Sequence, residues 1–252
     1  MNITLILEVL PHLLGGALLT AELTVTAVVA GFLIAVPLSL LRASPSLVVS
    51  TPVQFYTFLF RGTPLLVQLF LIYYGASQIG WLRASPAWIV LRDPYGCALI
   101  AFSLNHAAYA TEILAGGIRA VPQGEVEAAK ALGMSALLRM RRIIFPNALR
   151  LSFPAYGNEV VLMLKASSLA STITLMELTG TARKLVAQTF SPYEVFVSAA
   201  LVYLGLTLVL VHIFACLERH LANQEKRSSE VNEYKALTNV TPPLSTKERA
   251  SQ

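Results

Sequence analysis

Charge is what this sequence is shortest of. Only 13% of its 252 residues are Asp, Glu, Lys or Arg, about half the share of an ordinary soluble domain. That shortage excludes a fold with a solvated surface all round. Residues 23–41, 62–82, 94–111 and 195–217 hold no such residue. Cysteine is scarce too. Cys97 and Cys216 are the only two and no C-x-x-C occurs, which argues against a disulfide framework or a cysteine-ligated metal. His12, His106, His212 and His220 stand at no metal-binding or catalytic spacing, so no metal or other cofactor is expected. Also missing is G-x-x-x-x-G-K-[ST], whose backbone would cradle nucleotide phosphates. Neither G-x-S-x-G nor H-E-x-x-H is present. The chain is therefore not expected to be an enzyme or to hydrolyse ATP itself. MNITLILEVL has no basic residue ahead of its apolar part, so it does not read as a cleavable signal.

What is abundant is oil: 55% of the residues are hydrophobic and mean hydropathy is +0.63. Crossing a bilayer takes about 20 mostly apolar residues in helix, and helix is favoured because lipid offers the backbone no hydrogen-bond partner. The pattern predicts an all-α membrane protein with five spanning helices at about 20–41, 62–82, 95–114, 151–171 and 195–217. Glu159 and Lys165 interrupt the fourth. Residues 1–14 read as an interfacial segment feeding the first span. The polar, mixed-charge stretch 218–252 reads as a disordered tail.

Lys and Arg concentrate on the cytoplasmic side of membrane proteins. With the C-terminus inside, pieces 42–61, 116–150 and 218–252 carry fourteen of them, and the opposite side carries four. The bias predicts a cytoplasmic C-terminus and, with five spans, a periplasmic N-terminus. It also accounts for most of the +5 net charge, so lipid is the implied partner and nucleic acid is not.

One charged island breaks the apolar pattern. VPQGEVEAAKALGMSALLRMRRIIFP, residues 121–146, reads as two short helices joined at Gly133, which permits a sharp reversal. Pro122 suits a first helical turn. Glu125 and Glu127 favour the first helix's N-terminal dipole, and Arg139, Arg141 and Arg142 lie toward the end of the second. Ala128, Ala129 and Ala131 keep the first helix thin enough to enter a groove on another protein. Pro146 reads as the end of the second helix.

Glu127-Ala128-Ala129, three residues, Gly133, nine residues, Ile143, one residue and Pro146 resemble the EAA loop of ABC importer permeases, E-A-A-x3-G-x9-I-x-L-P. Phe145 stands where the family usually has Leu. FRGTPLLVQLF (60–70), LNHAAYATEILAGGIRAVPQGE (104–125) and PAYGNEVVLMLKASSLASTIT (154–174) are similar to segments of polar amino acid permeases. The insertion WLRASPAWIVLRDPYG (81–96) resembles the M-type subunit of histidine/lysine-arginine-ornithine and opine importers. The resemblance covers residues 15–217. It implies a type I ABC importer permease fold in the inner membrane and a cytoplasmic EAA loop at 116–150. The partners it implies are an ABC ATPase dimer, a second, non-identical permease subunit and a periplasmic solute-binding protein. Coupling to the ATPase then falls on Glu127, Ala128, Ala129, Gly133, Ile143 and Pro146. Ala115 departs from the Arg common in relatives, and no role of that Arg carries over.

Polar residues within spans are functional candidates. Asn105, Tyr109 and Glu112 fall at i, i+4 and i+7, on one helical face. Asn158 and Glu159 are candidates for a substrate path, since a carboxylate in low dielectric favours a cationic solute. The competing reading, for these and for Asn105 and Tyr109, is that they bond helices together. Glu112 reads as a brace for the loop. Arg61, Gly62, Thr63 and Pro64 mark the inner mouth of span two. Thr63 is placed to cap a helix beginning at Pro64, with a gating role as the alternative. Two other functions stay open: an intramembrane enzyme built on Glu159, His106 and Glu112, and an ion-coupled secondary transporter.

Overall fold

The structure is a computed structural model that describes residues 3–239, with side chains through residue 220. It has no strand among the described residues. α1 (Ile3–Arg42) is one helix. The sequence reading separates an interfacial segment 1–14 from a span near 20–41, but here they are continuous. Apolar residues at the start of α1 explain the difference. Val9, Leu13 and Ala17 pack with Leu178, Leu185, Val195 and Ala199 in a shared core.

The second predicted span departs furthest. In place of one helix over 62–82, α2 (Leu47–Gly62) is followed by α3 (Leu65–Phe70), which runs on as a π-turn to Gly75. The axes of the two pieces differ by 100°. Thr63 (φ −114°, ψ 144°) and Pro64 (φ −62°, ψ 133°) are both extended. Pro64 has no N–H and pushes its predecessor out of the helical region, so two consecutive residues leave the helix. α4 (Gly80–Arg83) and α5 (Trp88–Leu91) are single turns in the following connection.

α6 (Pro94–Ala120) is the central element. It packs most extensively against α1, and also against α2 and α9. Small residues allow the close approach: a Cβ on Gly31 of α1 would meet the Ser103 carbonyl of α6 at 2.8 Å and the His106 ring at 2.9 Å. Close backbone contact of this kind is what drives helix association in lipid.

α7 (Gln123–Ala131) and α8 (Ala136–Arg139) form the island. α8 does not stop at Pro146. It passes through a π-turn, Met140–Ile144, directly into α9 (Phe145–Ala166). A π-turn shifts hydrogen bonding to i→i+5, and the Phe145 N–H donates to the Met140 carbonyl. The π-turn lies just before Pro146, whose missing N–H leaves one carbonyl of that turn without its helical donor. α9 tightens into a 3₁₀ segment, Ser167–Ile173, before α10 (Leu178–Thr189).

α11 runs Pro192–Asn239. The helices pack as one body as far as His212. Residues 218–239 are helix where the sequence reads a disordered tail; 240–252 lie outside the described residues. Thr4–Arg42, Pro94–Ala120 and Pro192–His220 are long and apolar enough to cross a membrane. The bent pairs Leu47–Gly62 with Leu65–Gly75, and Ala136–Ile173 with Leu178–Thr189, raise the number to five if each is one span.

Candidate functional site

The break at Thr63–Pro64 leaves carbonyls of the last turn of α2 without helical donors. A side-chain clasp replaces them. Gln68 Nε2 donates to the Phe60 carbonyl (2.8 Å), the Thr63 carbonyl (3.1 Å) and Thr63 Oγ1 (2.8 Å). Asn105 Nδ2 reaches from α6 to Gln68 Oε1 (3.0 Å) and the Phe60 carbonyl (3.2 Å). Thr63 does not cap the following helix; its hydroxyl donates back to the Leu59 carbonyl at 2.8 Å. Extended geometry at Pro64 moves Thr63 off the capping position. Arg61, Gly62, Thr63 and Pro64 are exposed. Asn105 is therefore bonded into the bend. Gln68, which closes the clasp, carries no periodic signal that sets it apart within an apolar run.

Further along the same face, Tyr109 Oη donates to the Arg61 carbonyl at 3.5 Å, and the Arg61 guanidinium lies 5.2 Å from the Tyr109 ring centre. Glu112 Oε1 accepts from Arg42 Nε (2.7 Å) and Thr57 Oγ1 (2.7 Å). It braces the ends of α1 and α2, on either side of the short loop that joins them. The loop side is held by Arg119, whose Nη2 donates to the Arg42 carbonyl at 3.0 Å. Between these groups lies an open cleft of about 370 Å³, lined by Arg42, Gln54, Thr57, Arg61, Tyr109 and Glu112 among others.

Glu159 is 8% exposed, on the face of α9 turned to α6. Its Oε1 lies 3.9 Å from His106 Nδ1, while His106 Nε2 is 3.2 Å from Tyr156 Oη. His106 is fully buried and, among the described residues, its Nδ1 has no hydrogen-bond partner. Sequence spacing could not pair it with a residue on another helix. Asn158 is exposed and points away from this cluster, so the two neighbours in sequence do not form one site. Glu112 belongs to the Arg42 group, so the three residues of the enzyme reading are not assembled.

In the island, Gly133 takes φ +74° with open space around its Cα. Ser135 caps α8 by accepting from the Leu138 N–H. Glu127 and Ala128 are exposed, Ala129 is buried, and Ile143 and Pro146 are half-buried. Asn147 Nδ2 donates to Glu125 Oε2 at 2.5 Å, tying α7 to the start of α9. Leu132 and Leu137, 82% and 79% exposed, flank the reversal. The sequence reading passes them over because each looks like an ordinary apolar helix residue.

A second carboxylate, Glu177, is fully buried between α1, α10 and α11. It accepts from the Thr179 and Gly180 N–H groups (2.9 Å each), from Tyr203 Oη (3.0 Å) and from Thr20 Oγ1 (3.3 Å). No group of three or more His, Cys, Asp or Glu residues able to hold a metal occurs among the described residues.

Residues 27–223 match the family described as binding-protein-dependent transport system inner membrane component. The octopine transport system permease protein of Rhizobium meliloti is 48% identical over 216 residues, 86% of this chain and 88% of that protein. The nopaline transport system permease protein of Agrobacterium fabrum is 47% identical over 83% of this chain and 88% of its own length. The histidine/lysine/arginine/ornithine transport system permease protein of Salmonella typhimurium is 41% identical over 81% and 87%. The crystal structure of an amino acid ABC transporter with histidines matches with a TM-score of 0.77 at 32% identity, over 87% of this chain and 99% of that one. An inward-facing methionine ABC transporter shares the fold, with a TM-score of 0.71 at 16% identity over 85% and 98%.

Proposed function

The chain belongs to the family of binding-protein-dependent transport system inner membrane components, and on that premise we propose that it carries a basic amino acid or an opine as the permease subunit of an ATP-driven ABC importer. The residue that supports a cationic solute is Glu159. It is buried, and among the described residues its one ion-pair neighbour is a His106 nitrogen 3.9 Å away. A carboxylate held in low dielectric without a strong cation favours a positively charged visitor. The relatives named for octopine, nopaline and histidine/lysine/arginine/ornithine transport agree in substrate class.

In this reading five spans cross the inner membrane, with the N-terminus periplasmic and the C-terminus cytoplasmic. A binding protein delivers the solute from the periplasm. A second, non-identical permease subunit completes the pathway. The thin α7 and the Gly133 reversal seat in a groove of the ATPase, with Glu127 as the anchor. ATP closes the ATPase dimer and draws the paired hairpins together. Because α8 continues unbroken into α9, a displacement of the hairpin tilts the helix that carries Glu159. Such coupling requires the ATPase to contact the hairpin differently in its two states.

Purification of the native complex and identification of its subunits is the direct test. A separate ATPase should co-purify, and labelled arginine, lysine, histidine, octopine and nopaline should be tried for uptake. Uptake that survives ATP depletion and collapses with the ion gradient would instead identify a secondary transporter.

A further inference from the structure

We infer that the cleft between α1, α2 and α6 binds the carboxylate of the solute through Arg61, with Glu112 Oε2 beside it to receive an α-ammonium group. The inference rests on the reading that the solute is an amino acid or opine, and deepens it by giving the anionic end a place.

Bookkeeping of charge in the cleft leads there. Two arginines and one glutamate line it. Arg42 is committed, with Nε 2.7 Å from Glu112 Oε1. Arg61 is not: among the described residues it has no ion-pair partner, and its guanidinium rests on the Tyr109 ring. The surplus charge of the cleft is therefore that of Arg61. Its planar fork of donors matches a carboxylate bidentately, and stacking on Tyr109 fixes the plane of the fork before any ligand arrives. Glu112 supplies the complementary sign. Among the described residues both of its hydrogen bonds fall on Oε1, which leaves Oε2 there with an unused acceptor. Uncommitted cation and unused carboxylate oxygen in one cleft fit the head of an α-amino acid, which carries both charges two bonds apart. Thr57, Gln54 and the Tyr109 hydroxyl add polar lining. A volume of about 370 Å³ falls in the range of small-molecule sites, roughly 300–1,000 Å³. A lipid phosphate fits less well, because Glu112 would repel it.

The test uses the native assembly in nanodiscs without nucleotide or binding protein, since the binding protein selects solutes by itself. Uptake first identifies which of arginine, lysine, histidine, octopine and nopaline is imported. Equilibrium binding of that solute is then compared with binding of its α-amide, in wild type, Arg61→Gln and Arg61→Lys. The amide should bind wild type at least tenfold more weakly than the acid. Arg61→Gln should weaken the acid at least tenfold and leave the amide unchanged, and Arg61→Lys should restore part of the loss. Equal weakening of acid and amide, no weakening of either, or no binding to wild type overturns the inference while import stands. A dependence on Arg61 that appears only when phosphatidylglycerol is added to phosphatidylcholine discs assigns the cleft to lipid and overturns it too. If none of the five solutes is imported, the substrate reading falls and this inference falls with it.

Discussion

At the residue scale, polar side chains do two separable jobs. Gln68 and Asn105 satisfy carbonyls that the Thr63–Pro64 break sets free. Each buried donor or acceptor left unpaired costs about 1–3 kcal/mol. Gln68→Leu and Asn105→Leu should each lower the thermal midpoint of the detergent-purified assembly. The double variant should lose less than the sum, because both act on one network. Additive losses would mean that the clasp is not a unit. The common face of Asn105, Tyr109 and Glu112 followed from helical spacing, and all three do engage α2 or the bend. Their partners did not follow. Gln68 sits in an apolar run, and Arg42 is seventy positions from Glu112, so only the fold brings them together. The same limit hid the approach of His106 to Glu159.

At the scale of elements, the island depends on one backbone conformation. Gly133 has φ +74°, which costs a β-branched residue of order 1–3 kcal/mol, whereas Asn visits this region readily. The open space around its Cα removes a steric reading of any effect. Gly133→Val should abolish uptake with the protein still inserted at normal level, and Gly133→Asn should keep a large part of it. Equal uptake in both variants would remove the reversal from the coupling path. A bulky residue at the exposed Glu127 should likewise abolish uptake with insertion intact. Leu137→Asp, at an exposed apolar position beside the turn, should reduce co-purification of the ATPase without lowering membrane insertion. The two helices and their glycine joint could be read from composition and spacing. The passage of α8 through Pro146 could not, because the π-turn that accommodates it has no residue signature of its own. Glu177 is another element-scale device: it caps α10 and bonds Tyr203 at once. Loss of an N-cap costs about 0.5–2 kcal/mol, so Glu177→Ala should destabilise the assembly by at least that much. A neutral result in the melting midpoint would show that the other contacts of α10 suffice to hold it.

At the scale of the whole molecule, the open quantity is the number of crossings, and it turns on the bend. α3 with its π-turn spans residues 65–75, about 16 Å of helix at 1.5 Å per residue. The hydrocarbon core is about 30 Å thick, so this piece cannot cross alone. Either α2 and α3 cross together as one broken span, or they turn back on the side they came from. Parity separates the two. A broken span gives five crossings and termini on opposite faces; a return gives four and termini on the same face. The distribution of Lys and Arg favours the broken span, since a return with both termini inside keeps 116–150 inside but adds Arg42 to Arg83, Arg92, Arg183 and Lys184 on the outer side. Carbonyls at the break bonded by Gln68 and Asn105 also suit a site within the bilayer, where water is not there to receive them. With Cys97 and Cys216 replaced by Ser, an impermeant maleimide applied to spheroplasts should label Ser85→Cys and leave Gly124→Cys unlabelled until the membrane is opened. An N-terminal tag should be reached by externally added protease and a C-terminal tag should not. Both tags on one face would make the bend a re-entrant hairpin, and labelling of Gly124→Cys from outside would set the α7–α8 island beyond the reach of any cytoplasmic ATPase.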